Sequence, residues 1–109
     1  RLAHLDREHM LALLLDTKHR VLKEVCVSVG CLDSTLVHPR EVFRPAVAES
    51  AAALVLVHNH PSGDPVPSAE DLAVTRRLAA TAELLGVELL DHVIVARHGC
   101  ESLRDRGEM

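Results

Sequence analysis

Short apolar runs alternate with polar breaks along the chain, and their spacing predicts the elements. Residues 10–15 form an unbroken apolar run that ends at Asp16-Thr17-Lys18. Residues 21–29 mix apolar and polar positions, with Val21, Val25, Val27 and Val29 as strong β-formers. Two such runs joined by a short polar turn predict a hairpin. Residues 30–33 read as a second break and 34–37 as a short extended piece. Pro39 lacks only a donor that the first helical turn leaves unpaired, so it suits a helix start. Residues 40–49 continue with helix composition. Pro45 predicts a kink or restart there, since an interior proline costs about 3 kcal/mol. Ala53-Leu54-Val55-Leu56-Val57 is continuously apolar and predicts a strand buried on both faces.

Residues 59–67 concentrate Pro, Gly, Ser and Asp, the composition of a structured loop. Ser68 then serves as an N-cap with Asp71 three positions on, close to a capping box, and opens a helix that runs to Leu85. Leu72, Leu78, Ala79, Ala82 and Leu85 recur at helical spacing and give that helix an apolar face, and Gly86 suits its stop. Residues 87–90 and 93–95 return to strand, and the polar tail 104–109 is expected to fray. The chain carries no internal repeat and no low-complexity segment. Hairpin, helix, strand, helix, strand predicts an α/β fold, a mixed sheet sandwiched by helices.

The 109 residues have the length of one domain, expected to occupy 1–109, and 48 % apolar with 26 % charged residues favour a packed core over disorder. That core draws on Leu, Val and Ala, because Phe43 is the only aromatic residue. Recognition of RNA or single strands by aromatic stacking is thereby disfavoured. Twelve Lys and Arg against sixteen Asp and Glu give a net charge of −4, so the domain has no bulk attraction for phosphate backbones. Cys26, Cys31 and Cys100 have no zinc-finger spacing and fit a reducing compartment, so the expected location is cytoplasmic. No apolar run approaches the ~20 residues of a membrane span. The start at Arg1, without an initiator Met or a signal pattern, fits a piece of a longer protein.

Chemistry concentrates in the fourteen residues from His58 to Asp71. His58 and His60 stand two apart at the end of an apolar strand, so both imidazoles point to one side where the sheet ends. Gly63 gives the following loop freedom, while Pro61, Pro65 and Pro67 stiffen it. Ser68 and Asp71 share a face of the next helix at its first turn. Two histidines and a carboxylate make a three-ligand zinc set with a fourth position open for water. Such an ion keeps net positive charge and lowers the pKa of that water toward ~7. Each part also has a plain structural reading. A His-x-His pair arises by chance, Ser68 needs no role beyond the cap, and the helix dipole favours Asp71 in any case. Their convergence in one segment raises the metal reading to equal standing.

His58-x-His60 with Ser68-x-x-Asp71, the aspartate eleven residues after the second histidine, resembles the JAMM (JAB/MPN/Mov34) metalloprotease motif. The whole string 58–71 and its flanks, 38–42 and 90–95, resemble the C-terminal domain of the RadC family, over roughly residues 8–102. RadC proteins usually add an N-terminal helix-hairpin-helix region, which this sequence does not show. The resemblance implies an MPN (JAB/cytidine-deaminase-like) fold and one zinc per chain on His58, His60 and Asp71. It implies that Ser68 steadies an oxyanion and that an upstream glutamate acts as general base. Glu8 is the candidate for that base, with Glu24 and Glu41 as competitors. The implied reaction is hydrolysis of an amide or isopeptide bond in a peptide or protein substrate. Many active JAMM peptidases carry Ser between the two histidines, where this chain has Asn59. That agrees with RadC members and puts a ubiquitin-type substrate in question.

Two other readings stay open: a non-catalytic MPN module that binds a partner, and a DNA-repair-associated factor, as the family name suggests. Inactive relatives usually lose ligands, whereas this chain keeps His, His, Ser and Asp. Nucleic-acid binding by this domain alone would need a basic patch that the sequence lacks. Asp64 reads as a turn residue more readily than as a fourth ligand. Asp91 and His92 read equally as partners that orient a ligand histidine and as strand-end hydrogen bonds. Arg76-Arg77 reads as a solvated helix face, and His4, His9, His19, His38 and His98 have no partner pattern. Substrate identity and oligomeric state have no signal in the chain.

Overall fold

The computed structural model describes residues 7–29 and 37–109. Its elements are β1 (His9–Leu15), β2 (Val21–Val29), α1 (Pro39–Ala48), β3 (Ala53–Asn59), α2 (Ala69–Leu85), β4 (Glu88–Ala96) and β5 (Gly99–Ser102). The strands form one sheet in the order β2-β1-β3-β4-β5. β3 and β4 run parallel with α2 as their crossover, and the other pairs are antiparallel, so the sheet is mixed as expected. No helix among the described residues is long and apolar enough to cross a membrane.

Asp16 makes the expected hairpin turn. Its carboxylate accepts Lys18 N at 2.8 Å and Arg20 N at 2.9 Å, and pairs with Arg20 Nε at 2.9 Å. β1 then alternates, with Met10, Ala12 and Leu14 buried and Leu11 and Leu13 only half-buried. In register, Met10, Ala12 and Leu14 lie opposite His58, Leu56 and Leu54 of β3. That face packs against Val42, Phe43 and Ala46 of α1 and Val74, Leu78 and Ala82 of α2 in one core. Both described helices therefore cover the same face of the sheet.

This arrangement explains where β3 departs from expectation. Leu54 and Leu56 are buried, but Val55 and Val57 face the other side and stay half-buried, so the strand is not buried on both faces. The strand also runs two residues further, through His58 and Asn59.

Other departures have local causes. α1 stays one helix through Pro45, and Glu41, whose carbonyl loses its partner to the proline, is an exposed residue. α2 starts on the Ser68 capping box and stops at Gly86 with φ 73°, as expected. Its buried face is Asp71, Val74, Thr75, Leu78 and Ala82, whereas Leu72 is half-buried and Leu85 exposed. β4 is continuous through Asp91 and His92, and β5 follows it as a strand that the sequence pattern missed. The tail is held rather than frayed: the Arg104 guanidinium donates to the Leu89 and Leu90 carbonyls, and Glu108 N donates to Leu103 O at 2.9 Å. The break and the extended piece expected over 30–36 lie outside the described residues, as do His4 and Cys31; Val37 is buried.

Candidate metal centre

Sheet register gathers the polar cluster. Met10 pairs with His58 in antiparallel register, so Glu8, two residues earlier, comes opposite His60, on the face that carries both histidines. α2 begins beyond the carboxyl end of β3, and its first turn lowers Asp71 onto the same spot. This is the end of a parallel strand pair where open α/β sheets commonly bind ligands.

His58 and Asp71 are buried, at 0 % and 1 % exposed. His58 Nε2 lies 3.1 Å from Asp71 Oδ1, and His60 Nε2 lies 3.0 Å from Asp71 Oδ2. A carboxylate oxygen of Glu8 stands 3.9 Å from His58 Nε2. Ligand atoms of Glu8, His58 and His60 all fall within 4.8 Å of one another. Asp71 is also the second arm of the capping box: its Oδ2 accepts Ser68 N at 2.7 Å, and its own N–H donates to Ser68 Oγ at 3.1 Å. Burial pushes the Asp71 carboxyl upward, but the nearby His58 and the Ser68 donors outweigh it and hold the group well below the usual carboxylate range.

The donor set suits a metal cation. His60 Nδ1 lies 2.8 Å from the Asp64 carbonyl, which only accepts, so Nδ1 carries the proton. In the neutral ring Nε2 is then a bare acceptor facing a carboxylate, an arrangement that needs a cation between the two or a second proton on the ring. His58 Nε2 is buried and has no aligned hydrogen-bond partner among the described residues. A metal-ligating nitrogen has these properties, and two imidazoles with a carboxylate are donors that zinc accepts.

Around this centre, His58 Nδ1 meets His92 Nε2 at 2.9 Å, His92 Nδ1 meets Thr75 Oγ1 at 2.5 Å, and Thr75 Oγ1 donates to the Asp71 carbonyl at 2.7 Å. Burial, joined by the proximity of His58, pushes the His92 pKa down to about 3. Asn59 is fully buried between the two histidines; it accepts His9 N at 2.6 Å and donates to Arg7 O at 2.8 Å. On the open side, Ser68, Glu8 and His60 border a cleft of ≈ 340 Å³ that continues over Pro61, Ser62 and Val66.

Not every candidate comes together. Glu24 is exposed on β2 opposite Leu13, and Glu41 is exposed in the first turn of α1, so of the three glutamates Glu8 is the one beside the histidines. Asp91 is bound elsewhere, by Ser102 Oγ at 2.5 Å and by the backbone N–H groups of His92 and Arg104. Asp64 acts in its turn, accepting Val66 N at 3.0 Å. His98, without a pattern in the sequence, packs its ring against Gly63, where an added Cβ would come within 3.1 Å of it. Thr75 and the clamp made by Asn59 were missed. The available signal for Thr75 was its place four residues after Asp71, on the same helix face.

Two helices on a mixed sheet, with the polar cluster at the end of its parallel pair, define an α/β domain with a candidate metal centre. Comparison with protein families is more specific: residues 1–108 match the RadC-like JAB domain, and the chain belongs to that family. It is similar to the UPF0758 protein of Syntrophotalea carbinolica, 57 % identical over 107 residues, covering 98 % of this chain and 47 % of the relative. The UPF0758 protein of Desulforamulus reducens is 52 % identical over 106 residues, 97 % of this chain and 47 % of the relative. That of Methanococcoides burtonii is 50 % identical over 103 residues, 94 % and 45 %. The chain thus spans about half the length of these relatives.

Proposed function

We propose that this domain is a zinc-dependent amide hydrolase acting on a peptide or isopeptide bond, with His58, His60 and Asp71 as the residues that hold one ion. One observation carries the reading: two histidine nitrogens converge on a buried carboxylate, one of them buried without an aligned partner among the described residues, and a glutamate stands 3.9 Å away. When bound, zinc supplies Lewis acidity that polarises a carbonyl and makes water acidic. Glu8, on the cleft side, accepts a proton from the attacking water at a carboxylate oxygen and delivers it to the leaving amine nitrogen. Water and amide thereby become carboxylic acid and amine. The Ser68 hydroxyl borders the same cleft and donates to the substrate carbonyl oxygen as charge develops there. The cleft over Pro61, Ser62 and Val66 receives the chain on one side of the cleaved bond. Free, exposed Cys26 and Cys100 agree with work in the reducing cytoplasm. A net charge of −4 supports a protein or peptide substrate over nucleic acid.

Metal analysis tests this reading. The wild type is expected to carry one zinc, His58→Ala and Asp71→Ala to lose it while staying folded, and Glu8→Gln to keep it. Against a library of peptide amides, Glu8→Gln is expected to lose roughly 10²–10⁴-fold in rate. Full zinc in the His58→Ala, Asp71→Ala double variant would overturn the ligand assignment. Loss of zinc in Glu8→Gln would instead make Glu8 a ligand alongside His58 and His60.

A further inference from the structure

We propose that His92 and Thr75 are positioning residues that lock the His58 ring in the Nδ1–H tautomer and so turn an unprotonated Nε2 toward the metal position. The inference deepens the metal reading above and rests on it. Its basis is a chain of hydrogen bonds whose polarity can be fixed from one end. The Asp71 backbone carbonyl can only accept, and it lies 2.7 Å from Thr75 Oγ1, so the hydroxyl proton points there. Thr75 Oγ1 must then accept at its other contact, 2.5 Å from His92 Nδ1, which places the His92 proton on Nδ1. His92 is fully buried, and Thr75 and His58 are the partners of its ring nitrogens. A buried ring without a carboxylate partner stays neutral, so its Nε2 accepts. His58 Nδ1, 2.9 Å away, is therefore the donor.

His58 is left with a bare Nε2, the same atom that is buried without an aligned partner among the described residues. The opposite polarity would leave two oxygens, Thr75 Oγ1 and Asp71 O, 2.7 Å apart with no proton between them. The chain also closes on itself. It starts at His58 and ends on the backbone of Asp71, whose carboxylate lies 3.1 Å from His58 Nε2. His58 on β3 and the first turn of α2 are thus held together through two buried side chains that touch no substrate. Partners of this kind set ligand orientation and basicity, and losing one weakens metal binding by roughly 10–100-fold.

Two readouts test it. In metal-free protein labelled with ¹⁵N-histidine and held at alkaline pH, long-range ¹H–¹⁵N spectra are expected to show the neutral His58 ring as the Nδ1–H tautomer. In competition with a chromophoric chelator, Thr75→Val is expected to bind zinc roughly 10–100-fold more weakly, and Thr75→Ser, which restores the hydroxyl, at near wild-type strength. An Nε2–H tautomer for His58, or wild-type affinity in Thr75→Val, would overturn the inference while leaving the metal site itself standing. Absence of zinc from the wild type would instead remove the metal reading, and the tautomer spectrum would still judge the hydrogen-bond chain. The spectrum needs only the wild-type protein, so it decides even where Thr75→Val does not fold.

Discussion

Consecutive side chains at the end of β3 alternate between the two faces of the sheet, and this divides their work. His58 and His60 turn toward Asp71. Asn59 turns away and clamps the backbone on both sides of Glu8, through His9 N at 2.6 Å and Arg7 O at 2.8 Å. The residue between the histidines therefore holds the segment that carries the proposed base. Asn59→Ala leaves one donor and one acceptor without their partner and is expected to lower stability by about 1–3 kcal/mol. A lower urea midpoint at unchanged slope is the sign to look for. A variant as stable as the wild type would mean that the clamp holds nothing.

Among the elements, the β1–β2 hairpin depends on one carboxylate in its turn. The backbone N–H of Arg20 is the main influence holding Asp16 below its ordinary pKa of 3.8, with the Arg20 side chain and Lys18 N adding to it. A carboxyl whose pKa is lower folded than unfolded stabilises the fold above its unfolded pKa and loses that contribution as pH falls through the folded value. Asp16→Asn is accordingly expected to be less stable than the wild type at pH 7, with the gap closing below about pH 4. Denaturant midpoints at pH 7 and pH 3 measure it, and an equal gap at both would show that the charge is not what matters. This turn was legible in the sequence because its signals are local, as were the Ser68 cap and the Gly86 stop. The continuity of β4 was not. Asp91 and His92 look like a polar break, yet Ser102 and Arg104 satisfy one and His58 and Thr75 the other, all distant in sequence or on another element. The phase of α2 was misjudged for a related reason: Asp71 and Thr75 lie at the centre of its buried face, and a pattern that counts only apolar residues misses them.

At the scale of the molecule, the candidate centre joins the segment before β1, the end of β3 and the start of α2, with β4 behind it through His92. His58, His60, Ser68 and Asp71 were readable because they share one short segment, whereas placing Glu8 required the pairing of Met10 with His58. An ion held across such a junction binds the folded chain and not the unfolded one, so it stabilises the whole fold by mass action, by about 2.7 kcal/mol at a hundredfold excess over its Kd. For a domain of this length that corresponds to a rise in Tm on the order of ten degrees. Zinc is expected to raise the Tm of chelator-treated wild type progressively with concentration, and to leave the His58→Ala, Asp71→Ala double variant unchanged. Metal binding requires its ligands to be unprotonated, so the zinc-induced rise is expected to shrink as the solution is made more acidic. An equal rise in the double variant would mean that zinc acts at other groups. No rise in the wild type would mean that the folded junction does not select the ion, and the two histidines would then be held by Asp71 for structure alone.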